Sequence, residues 1–549
     1  MAADADAFTP AERATLRRHV TNVDRPVFAL TDLPEVVKGA LFARYSRSPK
    51  SLRRLLLDEF AGDLGGPGGA ADRGVAGDVP TPDAPGRERG GRPGRAERLY
   101  ERMLLDYGDD SVAQLGGAHV AVEGASNLLT KVLERGRLAA YLEQSTRYVP
   151  YHDRPGGRYR YYRDPDVMSS GHGAAYVAEL DAVFDAYVDA FPRVEAWAAR
   201  RFPRTPDTSE RAWRSSLRAK ACDVLRGLLP AATTSNVGIY ASGQAYEQLL
   251  LRLRSSELAE PRACGDALLA ELRAVIPSFV ARVDRPDRGG AWAAYLASTR
   301  AATRVAAERL LTGVAPQPAE EVTLVDWSPD ADADLVTGML YPHSHLPEAQ
   351  LRRHVDAMAP EERARVVRAY AGPRGNRRHK PGRALERIWY RFDVCGDYGA
   401  FRDLQRHRMC TIEWQELSPL HGYEIPAEAE EAGVAEACRR ALERQARLWE
   451  RLHPDLPRQA QYAVGFAYRV RYSIQLNARA ALHLIELRTT PQGHPSYRRV
   501  AQRMHELIAT RAGHTAVAEL MRFADHGRAE LERLDAERAG DARRAARGA

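Results

Sequence analysis

Apolar side chains recur along this chain mostly at helical spacing, and in a few short stretches at the every-other spacing of a strand. Val36, Val37, Ala40 and Leu41, then Leu52, Leu55, Leu56 and Phe60, mark helical faces between residues 33 and 60. A helix start at Thr9-Pro10 precedes them. The spacing predicts further helices over 97–105, 172–202, 213–229 and most of 258–283, with a short one over 291–312. Tyr246, Leu249, Leu250 and Leu253 fall at i, i+3, i+4 and i+7, so that helix has one buried face. Residues 120–124 and 126–133 are apolar enough to be core. Beyond residue 321, residues 322–325 read as a strand, and 335–341, 347–358, 360–370, 427–452, 476–487, 496–511 and 513–545 as helices.

Between these elements the composition changes. Residues 62–95 are dominated by Gly, Pro, Ala, Asp and Arg and read as a disordered insertion. Residues 284–320 carry Gly and Pro at both ends and read as a linker; residues 371–382 are a basic loop with Gly and Pro. Residues 156–163 alternate Arg and Tyr. A hairpin with an amphipathic face is the preferred reading there, and a nucleic-acid-binding strand the other.

Two stretches repeat. Arg135-Gly136-Arg137 and Arg406-His407-Arg408 share an Arg-x-Arg opening. Each is followed, after a spacer, by a helical segment ending in arginine: Leu251-Arg252-Leu253-Arg254 and Ile485-Glu486-Leu487-Arg488. This is the signature of an internal duplication. It divides the chain into an N-terminal segment of the first domain (1–61), the insertion (62–95), a first domain (96–283), the linker (284–320), a second domain (321–512) and a charged helical tail (513–549).

Composition narrows the class. The chain has 549 residues, 44% of them hydrophobic, and a formal net charge of +7 carried mostly by arginine. No apolar run is long enough for a membrane span, and the acidic N-terminus has no signal peptide. Five scattered cysteines with no CxxC pair point to a reducing cytoplasm and away from zinc sites or disulfides. The charge is spread too evenly to be a nucleic-acid footprint.

Candidate chemistry lies in the repeated stretches. In an extended backbone, Arg135 and Arg137 share a face, and so do Glu143, Ser145 and Arg147. Guanidinium forks match phosphate oxygens, so a cradle for a phosphorylated ligand stands beside a solvated edge strand as the two readings. Arg479 and His483, one helical turn apart, can reach one anion together or form an ordinary surface pair. Glu143 is either a ligand contact or an ion-pair partner of Arg147.

These motifs resemble the flavin-dependent thymidylate synthases. That family's signature is Arg-His-Arg, seven residues, then Ser-x-Arg-Tyr. Arg135-Gly136-Arg137 followed by Ser145-Thr146-Arg147-Tyr148 is similar to it except at Gly136. Arg406-His407-Arg408 matches the opening, with Glu416 at the Ser position and Ser418 at the Arg position. Arg226-Gly227-Leu228-Leu229-Pro230 resembles the family's Arg-x-x-Leu-Pro element, and Asn477-Ala478-Arg479 through Leu487-Arg488 its Asn-x-Arg helix. In the first copy Gly243 and Ala245 replace the Asn and Arg of that helix. Ala460 sits at the counterpart of Arg226, and Gly108-Asp109-Asp110-Ser111 keeps only part of a Gly-His-x-Ser element.

The resemblance implies a helix-rich α+β fold with two such domains in tandem. It implies an enzyme that methylates dUMP to dTMP reductively, using FAD, with NADPH and methylenetetrahydrofolate as co-substrates and no metal. Arg135, Glu143, Ser145, Arg147, Arg226 and Arg254 are then substrate-binding; Arg406, His407, Arg408, Asn477, Arg479 and His483 cofactor-binding; and Arg254 and Arg488 catalytic. His407 reads as a phosphate or flavin contact, because its cationic neighbours lower its pKa. The copies retain complementary residues, so one composite site shared by both is implied. A homodimer of tandem chains would restore the family's four-domain arrangement. The partner is a small nucleotide, with neither membrane nor nucleic acid. The alternatives are a non-catalytic paralogue that binds nucleotide or flavin, and an enzyme acting on another pyrimidine nucleotide.

Overall fold

A computed structural model describes residues 8–60 except 26, 27, 46, 47 and 49, then residues 114–527 except 207, and residues 531, 534 and 538. The expected insertion at 62–95, the helix at 97–105 and the Gly108–Ser111 element lie outside the described residues. The described chain is helix-rich with two small sheets, an α+β architecture. No described helix is long and apolar enough to cross a membrane.

Strands β1 (Gly117–Ser126), β2 (Ala139–Glu143) and β3 (Thr234–Ser242) form one sheet in the order β1-β3-β2. Strands β4 (Val322–Trp327), β5 (Trp389–Asp397), β6 (Cys410–Trp414) and β7 (Arg469–Asn477) form the other in the order β4-β5-β7-β6. The duplication is visible here: β5-β7-β6 repeats β1-β3-β2. β1 and β5 each run straight into a short helix, Asn127–Leu133 and Tyr398–Leu404. β3 and β7 run into longer ones, Gly243–Arg254 and Ala478–Arg488. Every one of these junctions carries an N-cap side chain: Ser126 on Leu129 N–H, Asp397 on Ala400 N–H, Ser242 on Ala245 N–H and Asn477 on Ala480 N–H.

By contacts the chain divides into two compact units that interleave along the sequence. One holds residues 1–121, 138–142 and 238–311; the other holds 122–137, 143–237 and 312–549. In the first unit, helix Gly243–Arg254 packs on Ala259–Val275 through Tyr246, Leu249, Leu250 and Leu253, the face that the spacing predicts. In the second unit, β7 buries Val470, Tyr472, Ile474 and Leu476 at alternate positions. Helix Pro495–Thr510 covers β5 with Val500, Ala501, Met504 and Ile508. Each large apolar side chain buried this way is worth about 1.5–3 kcal/mol. A layer of three helices, Gly173–Arg201, Glu210–Leu225 and Ala435–Leu452, packs together in the same unit.

Three expectations fail on local packing. Residues 156–163 form no hairpin: a short 3-10 turn at Pro155–Gly157 precedes one isolated bridge, Tyr161 to Thr233. Tyr159 and Tyr161 are buried and stack on Phe184 at 4.9 and 5.7 Å, which accounts for the alternation and removes the nucleic-acid strand. Residues 120–124 are not core, because β1 is an edge strand and buries only Ala125 and Ser126. The helix expected over 427–452 breaks at Gly433, whose φ of +70° suits glycine, giving Ala427–Glu431 and Ala435–Leu452.

Candidate functional site

The second unit contains a cavity of about 260 Å³ whose walls carry Arg147, Lys220, Asp223, Arg226, Asp397 and His494. Arg147 lies in the turn that follows β2. Helix Glu210–Leu225 presents Lys220 and Asp223 three residues apart, and Arg226 is its C-cap. His494 N-caps helix Pro495–Thr510.

Arg147 grips Asp223 with two prongs, Nε on Oδ1 at 2.6 Å and Nη2 on Oδ2 at 2.7 Å. Its Nη1 donates to the Tyr497 hydroxyl at 2.9 Å and Nη2 to the Gln492 carbonyl at 3.2 Å. Burial raises the Asp223 pKa, but Arg147 outweighs it and the carboxyl falls to about 2. Arg226 is 3% exposed. Its Nη1 lies 3.4 Å from Asp403 and its Nη2 3.9 Å from Asp397, and Nη2 has no hydrogen-bond acceptor. Burial pushes the Asp397 carboxyl above its ordinary range, against the pull of Arg226. His494 accepts from the Ser496 N–H at 3.3 Å on Nδ1, which puts its proton on Nε2, 3.2 Å from the Asp223 carbonyl. Burial and then Arg226 hold it neutral, well below the ordinary histidine range.

A second cluster adjoins through Asp403. This carboxylate takes Arg226 at 3.4 Å, Arg488 at 3.5 Å and Arg406 at 3.8 Å. Burial works against its charge, but Arg488 and then Arg406 drive its pKa far down. Arg488 Nε donates to His407 Nε2 at 2.9 Å, so His407 is neutral with its proton on Nδ1. Burial first and Arg488 second keep its pKa low. Tyr497 bears Arg488 over its ring at 5.4 Å and Arg147 at 5.8 Å. Arg147 and Arg226 from one copy, and Arg406, His407 and Arg488 from the other, thus form one connected network within the second unit.

The remaining candidates are placed differently. Glu143 does not pair with Arg147. It is sealed under Lys131 at 3.4 Å, Arg402 at 3.0 Å and Arg406, because β2 ends with its side chain turned into the core. Ser145 Oγ accepts from the Arg147 backbone N–H at 3.2 Å. Arg135 leans over Trp414 at 5.3 Å, and Arg408 is exposed. Asn477 spends its side-chain oxygen on the cap of its own helix, at 2.8 Å from Ala480 N. Arg479 donates to the Pro381 carbonyl at 3.0 Å and sits 3.4 Å from Glu386. His483 faces His407 with ring centroids 5.5 Å apart and is pushed down to about 4 by burial and then by Lys380. Arg254 belongs to the first unit, where it lies 3.4 Å from Asp266.

Sequence reasoning missed Asp223, Asp403, His494 and Tyr497. Asp223 and Asp403 had a faint signal, each standing three residues before a candidate arginine on a helix; His494 and Tyr497 had none. The counterpart of Arg226 also needs correction. Counted back from β7 as Arg226 is from β3, it is Gln461 and not Ala460; Arg458 likewise stands in the place of Asp223. Glu416, in the place of Ser145, pairs with that Arg458, and the Gln461 side chain accepts from Leu417 N–H at 3.1 Å. In the second copy Glu416 and Arg458 pair with each other, and the Gln461 side chain is used on the Leu417 N–H and the Arg458 carbonyl.

The family described as Thymidylate synthase complementing protein matches residues 76–278 and 323–512. A UPF0159 protein of Chlamydia muridarum is 38% identical over 532 residues, covering 96% of this chain and 98% of that one. A flavin-dependent thymidylate synthase of Mycobacterium sp. (strain KMS) is 30% identical over 189 residues, 33% of this chain and 68% of that one. Among solved structures, flavin-dependent thymidylate synthase from Helicobacter pylori, complexed with FAD and dUMP, is 18% identical at a TM-score of 0.26, covering 34% of this chain and 93% of that one. This chain belongs to the flavin-dependent thymidylate synthase family and carries the family domain twice.

Proposed function

We propose that the chain binds dUMP in the cavity walled by Arg147 and Arg226 and methylates its uracil at C5. The observation that carries this reading is Arg226. Arg226 is a buried guanidinium that lines the cavity together with Arg147, and two guanidinium groups at one cavity favour an anionic ligand. Membership of a nucleotide-methylating family supplies the identity of that anion. Bound FAD would supply the hydride that, with the methylene carbon of methylenetetrahydrofolate, turns the C5–H of uracil into C5–CH3, and NADPH would restore the reduced flavin.

The chain's own residues divide the remaining work. Arg147 and Arg226 hold the anion, with Asp223 fixing the first and Asp403 the second. Arg406, His407, Arg408, Arg479 and His483 are guanidinium and imidazole groups of the kind that hold a dinucleotide, and His407 meets the helix of Arg479 and His483 through Arg488 and His483. Arg488 stands between the two sets, against Asp403, His407 and Tyr497, where its charge polarises a pyrimidine. In this reading Arg254 closes the first copy's helix one position beyond the counterpart of Arg488, and Ser145 orders the turn that carries Arg147. A second reading, binding without turnover, draws on one observation: the donors of Arg147 already have protein partners.

The test is the visible absorbance spectrum of the purified protein before and after dUMP. A bound flavin whose spectrum shifts with dUMP is the expected result, followed by dTMP formation with the two co-substrates. A flavin that responds without turnover selects the binding-only reading. A colourless chain that takes up no added FAD and no dUMP overturns both.

A further inference from the structure

The helix Ala291–Leu311 lies between the two family matches and belongs to neither. None of its 21 residues is buried. Two of its four charged side chains tie it to the first unit. Arg300 Nη1 donates to the Ser255 carbonyl at 2.8 Å, and Arg304 grips Glu257 with two prongs at 2.5 Å each. A lone helix draws most of its stability from packing. Yet Trp292, Tyr295 and Leu310 stand 43%, 62% and 67% exposed. Large apolar side chains gathered on an exposed surface mark a contact site.

The order of residues along the helix says what covers it. Trp292, Leu296, Thr299, Thr303, Ala306 and Leu310 follow one another at steps of four and three, so they share one face, and that face carries no charge. The pattern is its own complement when the helix is reversed. Laid antiparallel on itself about the level of Ala301, Trp292 meets Leu310, Leu296 meets Ala306 and Thr299 meets Thr303. Larger side chains then fall opposite smaller ones, as ridges fall into grooves. The flank of Tyr295, Ala302 and Arg309 behaves the same way. Ala302 meets its own counterpart, and the Arg309 guanidinium meets the Tyr295 ring, a cation–π pairing. Arg309, in the last turn, has no ion-pair partner among the described residues. A membrane-surface helix would instead carry its arginines along a solvated polar face. Here Arg300 and Arg304 are spent on Ser255 and Glu257.

We propose that the helix Ala291–Leu311 is the seam between two copies of this chain, packed antiparallel about a two-fold axis at the level of Ala301. Self-complementarity under reversal is what such an axis requires. At 1.5 Å per residue the seam is about 31 Å long. It lies outside both family matches and uses no residue of the nucleotide network.

The test is sedimentation equilibrium of the full-length protein over a series of concentrations. The Tyr295→Glu/Leu310→Glu double variant puts charge into the seam. Val305→Glu puts charge on the face turned away from it, where Val305 is also exposed. The parent chain should dimerise, the double variant should bind its own copy ten-fold or more weakly, and Val305→Glu should match the parent. Circular dichroism should be the same for all three, since none of these side chains is buried. Mild oxidation then reads the orientation: Ala302→Cys should give a disulfide-linked dimer, and Val305→Cys no more than the parent. A parent chain that is monomeric at every concentration overturns the seam, and flotation with neutral lipid vesicles then shows whether a membrane covers the stripe. A dimer left intact by the double variant also overturns it, because the copies then meet elsewhere. A dimer that the double variant weakens but Ala302→Cys does not cross-link overturns the antiparallel arrangement.

Discussion

Asp403 accepts contacts from three arginines that the motifs assign to two different ligands. Replacing it with asparagine leaves Arg226, Arg406 and Arg488 near one another with their common counter-charge gone. Breaking such a buried pair costs roughly 3–5 kcal/mol, so Asp403→Asn should lower the urea midpoint by a large fraction of the total stability. Unchanged denaturation would mean the arginines are screened by solvent. Acid titration tests the same scale. Asp223 is depressed from 3.8 to about 2, so its contribution, ~2 kcal/mol, is present above about pH 4 and lost as pH falls through that window. His407, His483 and His494 are also depressed, so the unfolded state takes up their protons first. Stability should therefore begin to fall as pH drops below about 6.5 and fall further below 4. His494→Gln should reduce the first decline and spare the second; an identical profile would show that His494 does not stay neutral in the folded protein.

At the scale of elements, the duplicated strand–helix junctions keep their caps while the turns before β3 and β7 diverge. The first copy has Arg226 with an open donor; the second has Gln461, with Glu416 bonded to Arg458 nearby. Calorimetry should accordingly find one dUMP per chain, and a stoichiometry of two would sink the division of labour between copies. The same division predicts that Arg226→Ala abolishes dUMP binding and leaves flavin bound, whereas Arg479→Ala weakens flavin and leaves dUMP bound. Equal loss of one ligand in both variants would refute it.

For the whole molecule, the network of the candidate site draws on residues from Arg147 to Tyr497, nearly the full span from the first copy to the end of the second. A cut between residues 312 and 320, which separates the two family matches, should therefore abolish dUMP binding in either half alone. Two chains would bring four family domains together, and a homodimer is the expected assembly. Sedimentation of the purified protein checks this; a monomer that still binds dUMP would discard it.

The sequence by itself determined most of the helices, the Thr9 cap and the duplication. Those rest on periodicity and on residues a few positions apart, where spacing alone sets which side chains share a face. The helices 173–201, 210–225, 243–254 and 495–510 were all legible for that reason, whereas Arg147, Arg226 and Arg406-His407-Arg408 were assigned their roles by resemblance to the family's motifs. Only the tertiary structure decided which of those arginines are satisfied and by what. Glu143 turned inward to Lys131 and Arg402, Asp223 took Arg147, and Asp403 joined the two copies. These pairings bring together groups from remote parts of the chain, and local patterning carries no record of them. Burial then sets the electrostatics: a guanidinium in low dielectric needs a counter-charge, and the fold brings Asp403 and Asp397 to Arg226 from the other copy.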